Sequence, residues 1–151
     1  RVEAILGAYW VHESISADLQ GYPVNIMRLE EWGVPDFYEL VLVTSEKKLK
    51  EDPEQVRGFL RAIVKGYDEA VRNPQAAIGV LLRAHPELNA DIERVGVELL
   101  APLWKEGDVR FGWQTHQKWS QVADWLKANG ILSKDVDTSK AFTNQFVEGA
   151  K

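Results

Sequence analysis

Apolar residues recur at helical spacing through the middle of the chain, and this periodicity limits the fold more than any other feature. Asp52 precedes Pro53, which is a helix start signal. The apolar positions that follow are Val56, Phe59, Leu60, Ile63, Val64, Tyr67 and Val71. Intervals of three and four residues over about five turns predict a helix that buries one face. With 151 residues and 45% hydrophobic residues, the chain can surround one ordinary core.

Further helices are predicted downstream by the same reasoning. Asn73 and Pro74 repeat the start signal, His85 and Pro86 end that helix, and Asn89 opens the next one. The apolar stripes expected on these helices and on a fourth are Ile78, Leu81 and Leu82; Ile92, Val95, Gly96, Leu99 and Leu103; and Trp119, Val122, Ala123 and Leu126.

The carboxy-terminal part is predicted to hold a loop and two helix ends. The glycine-containing stretch 106–115 is a loop, and Asn129 with Gly130 ends the fourth helix. Phe142 and Phe146 stand one helical turn apart, which predicts a last short helix that docks on the body of the protein.

The first 50 residues have a different pattern. Three short runs, 2–6, 24–29 and 39–44, are rich in β-branched and aliphatic residues and are predicted to be strands. A short helix is expected at 12–20, and turns at 21–23 and 32–36. The run ELVLV has apolar residues on both faces, as in a strand buried between layers.

Composition excludes several classes of function. The chain has 18 basic and 23 acidic residues, a net charge of -5, and no basic stripe, so nucleic acid is not an expected partner. With no cysteine, disulfides, thiolate metal sites and cysteine nucleophiles are excluded. His12 and Glu13 lack the second histidine of a zinc-binding HExxH helix, and no nucleotide or serine-hydrolase motif occurs. We therefore expect no metal, no cofactor and no catalytic residues.

Two clusters combine aromatic and acidic residues, AYWVHE at 8–13 and EEWGVPDFYE at 30–39. An aromatic face offers stacking area to a flat heterocycle, and a carboxylate accepts hydrogen bonds from an amino group. These residue types therefore fit a binding surface for a flat polar ligand. The alternative, which pattern alone favours, is that Trp10 and Trp32 are partly buried core residues and that the acids are solvated.

Three segments carry a resemblance to a known family. GAYWVHES, GYPVNIMRLEEWGVPDFYELVLVTSEKKL and DPEQVRGFLRAIVKGYDEAVRNPQAA resemble the substrate-binding proteins of bacterial ABC importers for thiamin pyrimidine precursors. The resemblance implies an α/β periplasmic-binding-protein fold of type II, with two lobes that close like a clamp. The chain would be its carboxy-terminal half. Residues 1–32 would be the end of one lobe and a hinge crossing strand, and 33–151 the mostly helical part of the other lobe.

The sequence also resembles, more distantly, the fungal enzyme that makes the thiamin pyrimidine. That enzyme carries a cysteine-rich tract where this chain reads VPDFYELV, and this chain has no cysteine. The resemblance therefore implies binding without catalysis: an extracytoplasmic solute-binding component for a hydroxymethylpyrimidine or formylaminopyrimidine. The alternatives are a synthase-like enzyme, or a binding protein for a sulfonate, nitrate or a flavin precursor.

The resemblance also assigns residues and partners. Tyr9, Trp10 and Glu13 would contact the ligand, Trp10 by stacking and Glu13 by accepting hydrogen bonds from the aminopyrimidine edge. Glu31, Trp32 and Tyr38 are further ligand-binding candidates, which could serve the hinge instead. His12 is expected to have a structural role.

The implied partners are an ABC permease and its ATPase. The implied location is periplasmic or otherwise extracytoplasmic, with or without a membrane anchor. Unpaired strand edges at 2–6 or 39–44 predict self-association of the chain.

Overall fold

A computed structural model describes residues 3–104 and 107–148 of the chain. The α-helices, in chain order, are α1 (Glu13–Leu19), α2 (Glu46–Glu51), α3 (Pro53–Arg72), α4 (Pro74–Ala84), α5 (Ala90–Leu100) and α6 (His116–Ala128). Short 3-10 helices lie at Leu29–Trp32, Ala101–Leu103 and Thr138–Lys140. None of the helices in the described residues has the length and hydropathy of a membrane span.

The expected α/β periplasmic-binding-protein fold is wrong for this structure, because residues 3–104 and 107–148 contain no β-strand. The run 39–44 has no regular secondary structure, and Leu40 and Val43 are 82% and 86% exposed. The run 24–29 is likewise irregular up to the 3-10 helix that begins at Leu29. In the first run, residues 3–6 are irregular, and residue 2 lies outside the described residues. A strand exists only where its backbone pairs with another strand, and β-branched composition does not supply that partner.

The predicted helix starts are confirmed, because side chains accept hydrogen bonds from the first backbone N–H groups. Asn73 accepts from Ala76 at 3.3 Å and begins α4. Asn89 accepts from the N–H groups of Asp91 and Ile92 at 3.0 and 3.3 Å and begins α5. Such caps satisfy donors that have no partner within the helix. The predicted short helix at 12–20 is observed as α1.

Contacts divide the chain into two compact units. The first comprises Arg1–Ile26 and Lys65–Phe111, and the second Met27–Val64 and Gly112–Lys151. The expected division into lobe segments at residues 32 and 33 stays a prediction.

In the first unit, α5 packs against both α4 and α1. Its buried hydrophobic residues are Val11, Ala70, Ile78, Ile92, Val97 and Ala101. Gly96 lies where α5 meets the residues before α1, and a Cβ atom there would be 2.5 Å from the carbonyl oxygen of Val11. The predicted stripe of α5 is correct only in part, since Val95 and Leu99 are 47% and 39% exposed.

In the second unit, α6 packs against Thr138–Lys140. Val64, Thr138, Phe146 and Val147 are buried. The guanidinium of Arg57 lies 4.9 Å from the centroid of the Phe146 ring and donates to the carbonyl of Gln145 at 2.9 Å. The last short helix predicted from Phe142 and Phe146 is wrong, because residues 145–148 form turns. Phe142 stacks instead on Trp119, with ring centroids 6.2 Å apart.

Candidate functional site

The first predicted cluster lies in the turn that begins α1. The carbonyl of Tyr9 accepts hydrogen bonds from the backbone N–H groups of His12 and Glu13 at 3.0 and 2.9 Å. In return, Oε2 of Glu13 accepts from the N–H of Tyr9 at 2.8 Å. The hydroxyl of Ser14 donates to the carbonyl of Trp10. These reciprocal bonds fix the backbone on which Tyr9, Trp10 and Glu13 stand.

The side chains of this cluster are accessible to a ligand. Tyr9 is 44% exposed, the Glu13 side chain is 53% exposed, and Trp10 is half-buried. Both contacts described for the Glu13 carboxylate are made by Oε2, with Tyr9 and with His12. Oε1 therefore retains the capacity to accept a hydrogen bond from a ligand. One turn of the chain thus carries two aromatic side chains and a carboxylate, residue types that suit a flat amino-heterocycle.

Residues of helix α5 lie against this cluster. Nε2 of His12 lies 3.6 Å from Oε1 of Glu93, and Nδ1 of His12 lies 3.9 Å from Oε2 of Glu13. The Glu93 side chain is only 19% exposed, whereas that of His12 is 52% exposed. Val11, between Trp10 and His12, is buried against Gly96. Sequence reasoning missed Glu93. The sequence feature that could have identified Glu93 is its position one helical turn before Gly96 on α5.

The second predicted cluster begins on the 3-10 helix Leu29–Trp32. The N–H of Glu31 donates to the carbonyl of Arg28 at 3.1 Å. Gly33 ends the helix with a φ of 88°, a left-handed conformation that favours glycine. Glu31 is exposed and Trp32 is 68% exposed, so Trp32 is not a core residue.

Tyr38 has a different setting from the rest of the second cluster. Its hydroxyl accepts from the backbone N–H of Thr115 at 2.9 Å, at the start of α6. Its ring lies 6.0 Å from that of Trp119, and Nζ of Lys118 lies 5.2 Å from its centroid. No contact described for residues 27–64 and 112–148 joins Tyr38 to Glu31 or Trp32. These contacts with α6 give Tyr38 a structural function in the second unit.

Part of this second cluster lines an open groove of 590 Å³. Its lining residues are Gly33, Val34, Pro35, Asp36, Gln121, Asp124 and Trp125. Asp36 is paired with Lys118 at 2.6 Å. Sequence reasoning named neither Lys118 nor Trp125, because it considered only the apolar stripe of α6 and both residues lie off that stripe. Among the described residues, no three His, Asp or Glu side chains come together as a metal site would require.

Comparison with known proteins matches residues 1–77 to the family described as NMT1/THI5 like. Over 148 residues the chain is 31% identical to the formylaminopyrimidine-binding protein of Halalkalibacterium halodurans, covering 95% of this chain and 45% of that protein. It is 29% identical over 150 residues to the riboflavin-binding protein RibY of Chloroflexus aurantiacus, covering 93% and 41%. A third relative is the 4-amino-5-hydroxymethyl-2-methylpyrimidine phosphate synthase of Uromyces fabae, 22% identical over 125 residues, covering 83% and 35%.

The chain spans less than half the length of these curated relatives. Both aromatic and acidic clusters, 8–13 and 30–39, lie within the residues that match the family. Of these three relatives, the formylaminopyrimidine-binding and riboflavin-binding proteins each align over more than nine-tenths of this chain, whereas the synthase aligns over less of it and at lower identity. Because the family match covers half of the sequence and includes both clusters, the chain belongs to the NMT1/THI5 like family.

Proposed function

We propose that this protein is the extracytoplasmic solute-binding component of an ABC importer and that it binds a thiamin pyrimidine precursor of the formylaminopyrimidine or hydroxymethylpyrimidine type. The observation that carries this proposal is the 31% identity to a formylaminopyrimidine-binding protein over 95% of the chain. Its partners are an ABC permease and the ATPase that drives it.

The turn before α1 supplies groups suited to such a ligand. The faces of Tyr9 and Trp10 offer stacking area to the pyrimidine ring. The carboxylate of Glu13 accepts a charge-assisted hydrogen bond from the exocyclic amino group and, where it is protonated, from the ring nitrogen. Glu31 and Trp32 belong to the second unit, where both are exposed, and they stay separate ligand-binding candidates of that unit. Tyr38 is held by α6 and contributes through its position in the second unit.

Riboflavin is a second candidate ligand, because a riboflavin-binding protein is 29% identical over 93% of the chain. Its ring system is also flat and polar, so the same aromatic faces would serve it. Its pyrimidine ring, however, presents carbonyl groups and an imide N–H instead of an amino group. Sulfonate and nitrate have no ring to stack on Tyr9 or Trp10 and fit this turn less well.

Calorimetry on the complete protein encoded by the gene separates these ligands. We expect the formylaminopyrimidine and the hydroxymethylpyrimidine to bind at least tenfold more tightly than riboflavin, nitrate or a small alkyl sulfonate, a difference of about 1.4 kcal/mol. Tighter binding of riboflavin would show that the protein is a flavin-binding protein instead. Binding of nitrate or sulfonate alone would refute a heterocycle site.

We further propose that the protein binds without catalysis. The absence of cysteine and the lower identity of the synthase relatives support this assignment. Incubation of the complete protein with iron, pyridoxal phosphate and oxygen should yield no pyrimidine product by mass spectrometry. A stoichiometric amount of product would place the protein among the synthases.

Fractionation of the source cells should recover the protein outside the cytoplasm, and recovery in the cytoplasm would contradict the transport role.

A protein that consists of residues 1–151 alone is also expected to self-associate. Leu40, Leu42 and Val43 are 82%, 59% and 86% exposed in a segment without regular structure, and such apolar surface associates in water. Light scattering on residues 1–151 should give a mass above the 17.1 kDa of one chain. Lys substitutions at positions 40 and 43 should restore the monomer. A monomer in the unsubstituted chain at high concentration would contradict this expectation.

A further inference from the structure

We propose that His12 and Glu93 are positioning residues that hold the Glu13 carboxylate in the orientation that recognises an amino group on the ligand. This inference rests on the proposed function, since it explains how the same site would prefer an aminopyrimidine to an oxopyrimidine. It assigns a role in ligand selection to α5, a helix on which no site residue was predicted.

The ring of His12 lies between two carboxylates. Its Nε2 atom is 3.6 Å from Oε1 of Glu93, and its Nδ1 atom is 3.9 Å from Oε2 of Glu13. The protonated ring can therefore pair with both acids at once, because both of its nitrogens then carry a proton. Glu93, with its side chain only 19% exposed, is screened by water less than the other two groups. Of the three side chains, that of Glu93 is therefore the most restricted by its surroundings.

The backbone beneath the ring is fixed as well. Val11 is buried, and its carbonyl oxygen lies so close to α5 that only glycine fits at position 96. One residue further along the chain, His12 pairs with Glu93, which stands one turn before Gly96 on α5. The turn that carries Trp10 and Glu13 thus meets α5 at two adjacent residues, through the Val11 carbonyl beside Gly96 and through the 3.6 Å approach of His12 to Glu93, which is an ion pair when the ring is protonated.

The consequence falls on the geometry of the Glu13 carboxylate. Its Oε2 atom receives the N–H of Tyr9 at 2.8 Å and faces the His12 ring, and these two contacts restrict the rotation of a flexible side chain. Oε1 is then presented in one orientation and can accept from an amino group without a further loss of conformational freedom. An oxo group at the same place offers no donor and is repelled by the carboxylate. Loosening the carboxylate should therefore reduce discrimination between the two ligands.

The first arm of the test requires no ligand. Amide hydrogen exchange of Tyr9, followed by NMR on the complete protein, reports whether Glu13 still accepts its hydrogen bond. Glu93→Gln and His12→Gln should each raise this exchange rate severalfold, whereas Glu93→Asp, which keeps the charge, should restore part of the protection. Glu87→Gln is the matched control, because Glu87 lies 3.1 Å from His85 in a second histidine–glutamate pair of the same unit, one whose two side chains are both exposed. It should leave Tyr9 unchanged.

The second arm measures affinities for a 4-aminopyrimidine and for the 4-oxo compound with the same ring substituents. Glu93→Gln should lower the ratio of the two affinities by about threefold to tenfold while the melting temperature of the ligand-free protein stays near that of the unsubstituted one. A ratio that does not change overturns the inference, even if Tyr9 exchanges faster. If the unsubstituted protein binds neither compound, the proposed function fails. Tyr9 exchange then decides the positioning role, and an unchanged rate overturns it.

Discussion

Gly96→Ala is the substitution for which the structure gives the sharpest expectation. A Cβ atom at this position would lie 2.5 Å from the carbonyl oxygen of Val11 and 3.9 Å from Cδ1 of Ile15. Ordinary van der Waals contact begins at 3.4 Å, so the two backbones would have to separate by about 0.9 Å. The atom in the way belongs to the main chain, so no side-chain rotation can relieve the overlap.

Two opposing terms set the size of the effect. Replacing a mid-helix glycine by alanine stabilises a helix by about 0.5–1 kcal/mol, since alanine loses less backbone freedom on folding. Forcing an extra methyl into a packed site costs about 1–3 kcal/mol. The overlap in this structure is with the backbone and is large, which favours the upper part of that range. We therefore expect the free energy of unfolding to fall by about 1–2 kcal/mol.

Gly66→Ala is the matched control. Gly66 lies inside α3, and a Cβ atom there would meet nothing within 4 Å. This variant makes the same chemical change with only the favourable term, so its free energy of unfolding should rise by up to about 1 kcal/mol. Urea denaturation followed by circular dichroism measures both variants. Equal effects of the two substitutions would refute the close approach of α5 to Val11, because the propensity term is common to both.

Three further predictions concern the site, a helix cap and the response to pH. Trp10→Ala and Glu13→Ala should each weaken pyrimidine binding by about 1–3 kcal/mol in calorimetry. Normal binding by both variants, or unfolding of Trp10→Ala, would support the core interpretation. Asn89→Ala should lower the free energy of unfolding by about 1 kcal/mol, and Asn89→Ser should retain most of it, since serine also caps; a silent Asn89→Ala in urea denaturation would contradict the role of this cap in α5. A hydrogen bond from the Ser139 hydroxyl holds the pKa of Asp137 below its usual range, so Asp137 contributes stability above its unfolded pKa and loses it as pH falls through the lowered folded pKa. Asp137→Asn should therefore lower the melting temperature slightly at neutral pH and by less in strong acid, and an equal change at both would show that the charge is irrelevant.

The helices could be predicted because their signals are local. Asn73 and Asn89 accept hydrogen bonds from N–H groups two or three residues away, and Gly130 follows the end of α6 with a φ of 70°. Each of these features depends on residues within one turn of the helix end, which the sequence contains in full. The helix predicted from Phe142 and Phe146 is wrong, because two aromatic residues one turn apart are not accompanied by such start and stop signals.

The strands predicted from composition are absent from the described residues because the stability of a strand is not local. The segment around Leu40 and Val43 has the composition of a buried strand, yet both side chains are more than four-fifths exposed. Composition indicates that a segment is suited to pairing, whereas pairing itself depends on residues far away along the chain or on another chain. The strand and the buried environment predicted from the residue pattern at 39–44 are therefore both wrong.

The candidate site shows the same distinction at the level of single side chains. Tyr9 and Tyr38 were both chosen as aromatic members of a ligand-binding motif, and they have different surroundings. Tyr9 uses only its backbone to fix the turn before α1, which leaves a 44% exposed residue whose ring can meet a ligand. Tyr38 uses its hydroxyl to accept from the first turn of α6 and lies against Trp119 and Lys118. The Tyr38 oxygen already accepts one hydrogen bond and its ring lies against α6, so only its O–H donor remains for a ligand. Among the residues suggested by the motif, those with unused hydrogen-bonding capacity and exposed faces should therefore dominate ligand affinity, and Tyr38→Phe should lower the stability of the second unit more than it lowers ligand affinity.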